Sequence, residues 1–360
     1  MTRFIVLLII FLLTIISPAG AVISFKSFVN CQDDVVDFTE RLRLEFDRDL
    51  PYSAYFNLQY EIVGYAGRGL ESVLVRQILK RPKPYYLGLD GVVADEKDYL
   101  VTNRVDRLYL QWQGFTVGRD AVSFGVGRVW SPMDIFEPFA PTEIDKENKT
   151  GVDIVKYDFG LTGMSDVAFV FAPTQEGKST SAVRLRGTFF GFTTSFLAAQ
   201  IKDETNYGLS FDGPVLDAGF RGELNHAVLA DGSTRDRYII GSDYMFNGDL
   251  YVVAEYYFNG FGSNDPLMYD WMSYLSGNTL SLAENYLALG GSYDFWSLWN
   301  VNGYIISNLD DGSRLYWKEV QYSLSDNSSV HGGMMITSGS ELSEYAVFKP
   351  MYYLLLSFYF

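Results

Sequence analysis

The chain has 360 residues, with 28 basic and 44 acidic side chains, a formal net charge of -16 and a single cysteine. An aromatic content of 16% is too high for a disordered chain, one cysteine cannot staple a disulfide scaffold, and the acidic balance speaks against nucleic-acid binding. So many rings, without the long Leu, Ile and Val runs of a soluble core, need an apolar surface elsewhere, and a sheet facing membrane lipid supplies one.

Residues 1–21 read as a secretory signal peptide. Arg3 is the positive start, Phe4 to Ile16 is the apolar run, and Ala19-Gly20-Ala21 is the small-residue cleavage site. A membrane anchor is the competing reading, but the run is too short to span a bilayer and Ser17-Pro18 breaks it. Cys31 follows no small residue, so it reads as a lone thiol and not a lipid attachment point. Residues 22–34 are then expected as a short periplasmic lead-in, with one structural unit over 35–360.

No later stretch approaches the roughly 20 apolar residues of a spanning helix. Period-two alternation takes its place, and it sets successive side chains on opposite faces of a strand. Val36, Phe38, Leu42, Leu44 and Phe46 share one face, interrupted by Glu40, against Asp37, Thr39, Arg41, Arg43, Glu45 and Asp47. The next segment repeats this with Tyr52, Ala54, Phe56, Leu58, Tyr60 and Ile62. Alternation weakens over residues 65–100, then returns around Arg107, around Arg184 and Arg186, around Arg221, and from Leu250 to Phe258. A soluble β-sandwich also alternates, but its strands usually run about 5 or 6 residues, shorter than these. Rings such as Tyr238, Tyr244 and Phe246, or Tyr316 and Tyr322, crowd the segment ends as aromatic girdles would.

The chain ends on its purest alternation: Tyr352, Leu354, Leu356, Phe358 and the terminal Phe360. This resembles the C-terminal signal that the barrel-assembly machinery of Gram-negative bacteria reads, and the resemblance implies a strand that closes a barrel against the first one. The expected fold is therefore all-β, a transmembrane antiparallel barrel of about 16 to 18 strands, wide enough for a water-filled lumen. Tight turns are expected at Gln113-Gly114, around Gly160 to Gly163, near Gly191 and at Asn247-Gly248, with longer connections at 128–150, 226–233, 259–278 and 309–313.

A connection as long as 128–150 is uncommon unless it is functional. Trp130, Ile135, Phe136 and Phe139 could pack it against the barrel wall, leaving Asp134, Glu137, Glu143, Asp145 and Glu147 toward an aqueous path. Arg41, Arg43, Arg107, Arg184, Arg186 and Arg221 have inward parity. Two readings compete for them: a transverse field across from the loop carboxylates, or pairing with cross-strand neighbours.

Residues 107–153 resemble a segment of porin-like outer-membrane proteins of Gram-negative bacteria, in which a glycine-arginine strand precedes a proline-rich loop ending in Ile-Asp. The matching residues are Gly118, Arg119, Gly125, Gly127, Pro132, Asp134, Phe136, Pro138, Pro141, Thr142, Ile144 and Asp145. The resemblance implies a porin-like barrel without naming a substrate. Strand parity is ambiguous around Arg119 to Ala121, where a bulge would re-aim Arg119.

The expected function is passive diffusion of an unidentified small solute across the outer membrane, with 128–150 as the constriction. A closed structural or adhesive barrel is the alternative, and the inward tyrosines Tyr55, Tyr109, Tyr251, Tyr257, Tyr353 and Tyr359 leave open transport of hydrophobic compounds. An enzyme is not expected, since His226 and His331 are the only histidines and neither sits in a recognisable triad pattern. No metal or other cofactor is implied. Partners would be outer-membrane lipid and lipopolysaccharide, the assembly machinery and, in a trimeric state, further copies of the chain. Asp231, Asp265, Asp270, Asp310 and Asp311 could bind divalent cations at lipopolysaccharide, with plain solvation the competing reading.

Overall fold

The computed structural model describes residues 21–80, 85–175, 177, 179–275, 277 and 279–360. The strands are β1 (Ala21–Gln32), β2 (Val35–Leu50), β3 (Ala54–Gly67), β4 (Gly91–Asp95), β5 (Tyr99–Trp112), β6 (Phe115–Asp120), β7 (Val152–Thr162), β8 (Ser165–Ala172), β9 (Thr180–Phe189) and β10 (Phe192–Ile201). They continue with β11 (Glu204–Val215), β12 (Ala218–Val228), β13 (Thr234–Phe246), β14 (Leu250–Asn259), β15 (Asn285–Phe295), β16 (Trp299–Asn308), β17 (Arg314–Ser325), β18 (Ser328–Ser338) and β19 (Met351–Tyr359).

All but β4 form one closed antiparallel barrel of 18 strands. Each strand pairs with its chain neighbours, and β1 closes the ring on β19 from Ser24↔Tyr359 to Gln32↔Met351. The seam ends on two backbone bonds, Ile23 N–H to the Phe360 carbonyl (3.0 Å) and Phe360 N–H to the Ile23 carbonyl (2.8 Å). Closure removes the free edges that lipid could not hydrogen-bond.

One end of the barrel carries only short turns and the other carries the long connections. Gln113-Gly114, Phe190-Gly191 and Asn247-Gly248 each have positive φ at both positions, the turn geometry that follows the right-handed twist of a hairpin. The opposite end carries 68–98, 121–151, 260–284 and 339–350. That asymmetry is the one seen when short turns face the periplasm.

The wall is greasy outside and charged inside. Phe38 and Leu354 are 43% and 44% exposed on the outer face, whereas Arg43 and Arg221 are each 1% exposed on the inner one. Rings gather at the short-turn end, where Trp299 packs on Tyr322 at 4.5 Å and on Phe295 at 6.0 Å.

Two regions depart from expectation. The signal peptide lies outside the described residues apart from Ala21, but 22–34 is no lead-in: most of it is β1, paired with both β2 and β19. Its alternation is hard to see because Lys26 and Ser24 point inward while Ser27 breaks the apolar outer row. The weakly alternating residues 65–100 add no full wall strand. Within them, β4 pairs with the upper half of β5, on the edge that β6 leaves unpaired.

Candidate functional site

β6 has only six residues, and after Asp120 the chain leaves the wall and enters the lumen until Val152. Gly118 lies at φ 125°, where an added Cβ would strike the Leu108 carbonyl. Beyond it Arg119 is fully buried. Its guanidinium donates to Asp153 (2.8 Å), Asp90 (2.9 Å) and the carbonyls of Leu87 (2.5 Å) and Val105 (3.1 Å). Arg119 thus fastens residues 87–90 over the point where the loop departs, and Tyr85 lies over its guanidinium at 4.5 Å.

Inside the barrel, two carboxylates of the wall hold the loop by its backbone. Glu255 on β14 accepts the N–H groups of Arg128 (2.9 Å), Val129 (3.0 Å) and Trp130 (2.8 Å). Glu223 on β12 accepts those of Val126, Gly127 (2.7 Å) and Met133 (2.8 Å), and the hydroxyl of Ser131 at 3.2 Å. Successive amides converging on an anion make a nest, and charge-assisted bonds of this kind are stronger than neutral ones. The glycines make the nest possible: a Cβ on Gly125 would overlap Ser131 Oγ, and one on Gly127 would overlap the Trp130 carbonyl. Nearby, Asn225 donates to the Pro132 carbonyl at 2.8 Å.

Rings complete this anchorage. Trp130 stacks on Tyr257 at 5.2 Å and meets Tyr286 at 5.7 Å. Phe136 sets its edge to Phe124 at 5.9 Å, beside Met133, Ile154 and Leu197. The loop is also tied to itself. Asp134 accepts from Ser123 Oγ (2.8 Å), from the amides of Phe124 (2.7 Å) and Gly125 (3.1 Å), and from Lys149 Nζ (2.6 Å).

The far half of the loop reaches the wall through side chains. Asp145 meets Lys26 of β1 at 2.8 Å and Arg41 of β2, and Glu147 meets Lys26 and the Tyr359 hydroxyl. Burial works against the charged form of Asp145, but Arg41 and Lys26 outweigh it and hold the carboxyl below the ordinary range. The Tyr304 hydroxyl donates to the Pro141 carbonyl at 2.8 Å.

The arginines expected to line the water path behave differently. Arg43 and Arg221 point inward but are buried, Arg43 against Asp106 (2.6 Å), Glu61 (3.3 Å) and Glu45 (2.9 Å), Arg221 against Asp243 and Asp212. Arg184 and Arg186 share Asp166, and Arg107 meets Asp120 at 3.4 Å. Cross-strand or near-strand pairing therefore involves all six, and among them Arg41, which meets Glu61 at 3.7 Å, also reaches from the wall to a loop carboxylate. Asp134 is turned into the loop and not toward water, and Glu137 accepts from the Tyr85 hydroxyl at 3.1 Å, while Glu143 is exposed. Nothing in the sequence marks out Glu223 and Glu255, the carboxylates that hold the loop, because an inward acid on an alternating strand looks like any lumen residue.

Other expected sites resolve locally. Asp310 accepts the amides of Glu284 (2.9 Å) and Asn285 (2.8 Å), and Asp311 that of Ser313 (2.7 Å), while Asp231, Asp265 and Asp270 cap the turns that follow them. Among the described residues no group of three or more His, Cys, Asp or Glu could hold a metal ion. His226 pairs with Asp236 at 2.6 Å in an exposed position. His331 lies between Ser329 (3.0 Å) and Glu319 (3.1 Å), the order of a hydrolase relay. Ser329 is the second residue of β18, paired with Ser323 and Ser357 just after the short turn 326–327.

No protein-family model and no curated protein matches the chain. Among solved structures, Pseudomonas aeruginosa OccK5 (OpdH) superposes with a TM-score of 0.59 at 10% identity, covering 94% of this chain and 97% of that one. Acinetobacter baumannii OccAB1 gives 0.56 at 9% identity over 95% of each chain. A triple mutant of Rh. blastica porin gives 0.50 at 11% identity, over 95% of this chain and 99% of its own. The fold is that of an outer-membrane porin. Within this porin fold the loop 121–151 enters the barrel, and six of the twelve matched residues shape or fasten it: Gly125 and Gly127 for the nests, Pro132 and Pro141 for carbonyl contacts, Asp134 for the clasp, Asp145 for the wall.

Proposed function

We propose that the chain is a porin-like channel for passive diffusion of small solutes across the outer membrane, with the inward loop as its constriction. The observation that carries this reading is the double anchorage of the loop on Glu223 and Glu255, which holds a folded segment across the lumen. A loop serving only as surface decoration would have no use for two buried carboxylates, each of which is costly to desolvate. The reading includes a chain without enzymatic activity, lipid and lipopolysaccharide around the wall, recognition of Tyr352, Leu354, Leu356, Phe358 and Phe360 by the assembly machinery, and a monomeric or trimeric state.

A closed barrel is the second reading, favoured by the ring cluster of Trp130, Tyr257, Tyr286 and Tyr345, which fills part of the interior. Transport of hydrophobic compounds is less favoured, because interior tyrosines are engaged with carboxylates: Tyr353 with Glu319 at 2.8 Å and Tyr286 with Glu344 at 2.6 Å. Single-channel conductance of the refolded chain, with and without residues 132–146, separates these. Steady current that rises on deletion supports a constricted pore. Current only after deletion supports a plugged barrel, and silence in both overturns the channel reading.

A further inference from the structure

Between residues 144–147 of the loop and strands β17, β18, β19 and β1 lies a cavity of about 400 Å³. Its charge is unlike that of the rest of the interior. Elsewhere Arg43, Arg107, Arg184 and Arg221 each meet carboxylates of their own or a neighbouring strand, so much of the field of the wall is cancelled. Among the described residues the cavity is lined by four carboxylates, Asp145, Glu147, Glu319 and Asp326, against Lys26 as its only lysine or arginine. Arg41 reaches in to Asp145, and His331 is the remaining base. Even with the imidazole protonated, three cations face four anions, so the sign holds at any pH at which the carboxylates are ionised.

The four acids differ in reach. Asp145 is taken by Lys26 and Arg41, and Glu319 is buried between His331 and Tyr353. Glu147, although it too meets Lys26 and the Tyr359 hydroxyl, is 44% exposed, and Asp326 lies exposed at the short turn between β17 and β18, so these two are the carboxylates an entering solute can reach. Between them the wall presents neutral hydrogen-bonding groups, from Gln321 and the hydroxyls of Ser323, Ser328 and Ser357. The volume is that of a small-molecule site, and the lining, polar apart from Ile144, Leu355 and the ring of Tyr359, suits a hydrophilic solute.

We propose that this cavity is a binding step for small solutes carrying a protonated amine beside hydroxyl groups, with Glu147 and Asp326 choosing the charge and the serine-rich wall accepting the hydroxyls. The proposal rests on the channel reading and adds the class of solute. Arginine-rich sectors of the same lumen do not compete, because their charge is already matched.

The test uses the refolded full chain in a planar bilayer, first in a KCl gradient and then with Tris cation, mannitol or gluconate on both sides. Reversal potential is expected on the cation side, and Tris, an amine with three hydroxyls, should block current more than mannitol or gluconate. Glu147→Gln and Asp326→Asn should each lower the potassium-to-chloride permeability ratio about sevenfold, because one charge some 7 Å away in water acts on potassium and chloride with opposite signs and about threefold on each. Asp231→Asn, an exposed turn residue elsewhere, should leave the ratio unchanged, and heat-dependent gel mobility confirms that each variant is folded. Anion preference, equal block by the three probes, or an unchanged ratio in the double variant would overturn the proposal while leaving the channel reading in place. A folded protein that carries no current overturns the channel reading, and this proposal with it.

Discussion

Residues 123–136 of the inward loop meet the wall through backbone amides and rings, whereas residues 139–149 meet it mainly through ion pairs beside a solvated cavity. In the first half the amides of six loop residues converge on Glu223 and Glu255, and Trp130 is sandwiched in a dry cluster. Backbone donors cannot swing away, and a buried carboxylate without them would be left with its full desolvation cost. In the second half Asp145 and Glu147 are held by Lys26 and Arg41, long side chains that can exchange partners with water. The contrast teaches that one loop can be held by backbone donors at its entry and by side-chain ion pairs at its exit.

The first half should be the costlier to disturb. Trp130→Ala removes the ring that joins loop to wall, and should lower stability by about 3–5 kcal/mol, measured as the shift in the urea midpoint of the folded barrel. Glu255→Ala leaves three buried amides without an acceptor and should cost about 2–3 kcal/mol, with faster proteolysis inside 121–151. If either substitution left midpoint and cleavage unchanged, the fixed-entry picture would be wrong. On the far side Asp145→Asn leaves Lys26 with Glu147 and Arg41 with Glu61, so it should cost about 2 kcal/mol, yet raise current noise at constant mean conductance.

A pH-dependent effect comes from the loop 339–350, which packs against the same ring cluster. Burial pushes the Glu344 carboxyl up to about 7, against hydrogen bonds from Tyr286, Leu282 and Asn308. The folded state therefore binds this proton more tightly than the unfolded chain does. Its stabilisation is complete below the unfolded value near 4.5 and is lost as pH rises through about 7. Thermal unfolding should thus occur at lower temperature at pH 8 than at pH 5, and Glu344→Gln should flatten that difference. A difference that survives the substitution would assign it to another group.

Much of the barrel was legible because a two-sided strand repeats with period two whatever its neighbours are. The turns at Gln113-Gly114 and Asn247-Gly248, the inward parity of Arg43 and Arg221 and the outward row ending in Phe360 all follow from that period. What alternation cannot encode is which inward residues touch water. Arg43 and Arg221 have the same parity as residues lining a path, but neighbouring carboxylates and packing bury them. β1 was hidden for a related reason: Ser24 and Lys26 sit opposite a row that includes Ser27 and Cys31, so neither face is purely apolar. The anchoring of the loop was less legible still, since bonds from the Trp130 amide to Glu255 link residues 125 apart in sequence and leave no local pattern.

The most direct test of the account is the single-channel conductance of a Glu223→Ala/Glu255→Ala variant beside the unaltered chain. If the two carboxylates hold the loop across the lumen, the variant should conduct more, with larger fluctuations, while keeping the heat-dependent gel mobility of a closed barrel. A folded variant with the same conductance as the unaltered chain would contradict the claim that this anchorage sets the width of the path.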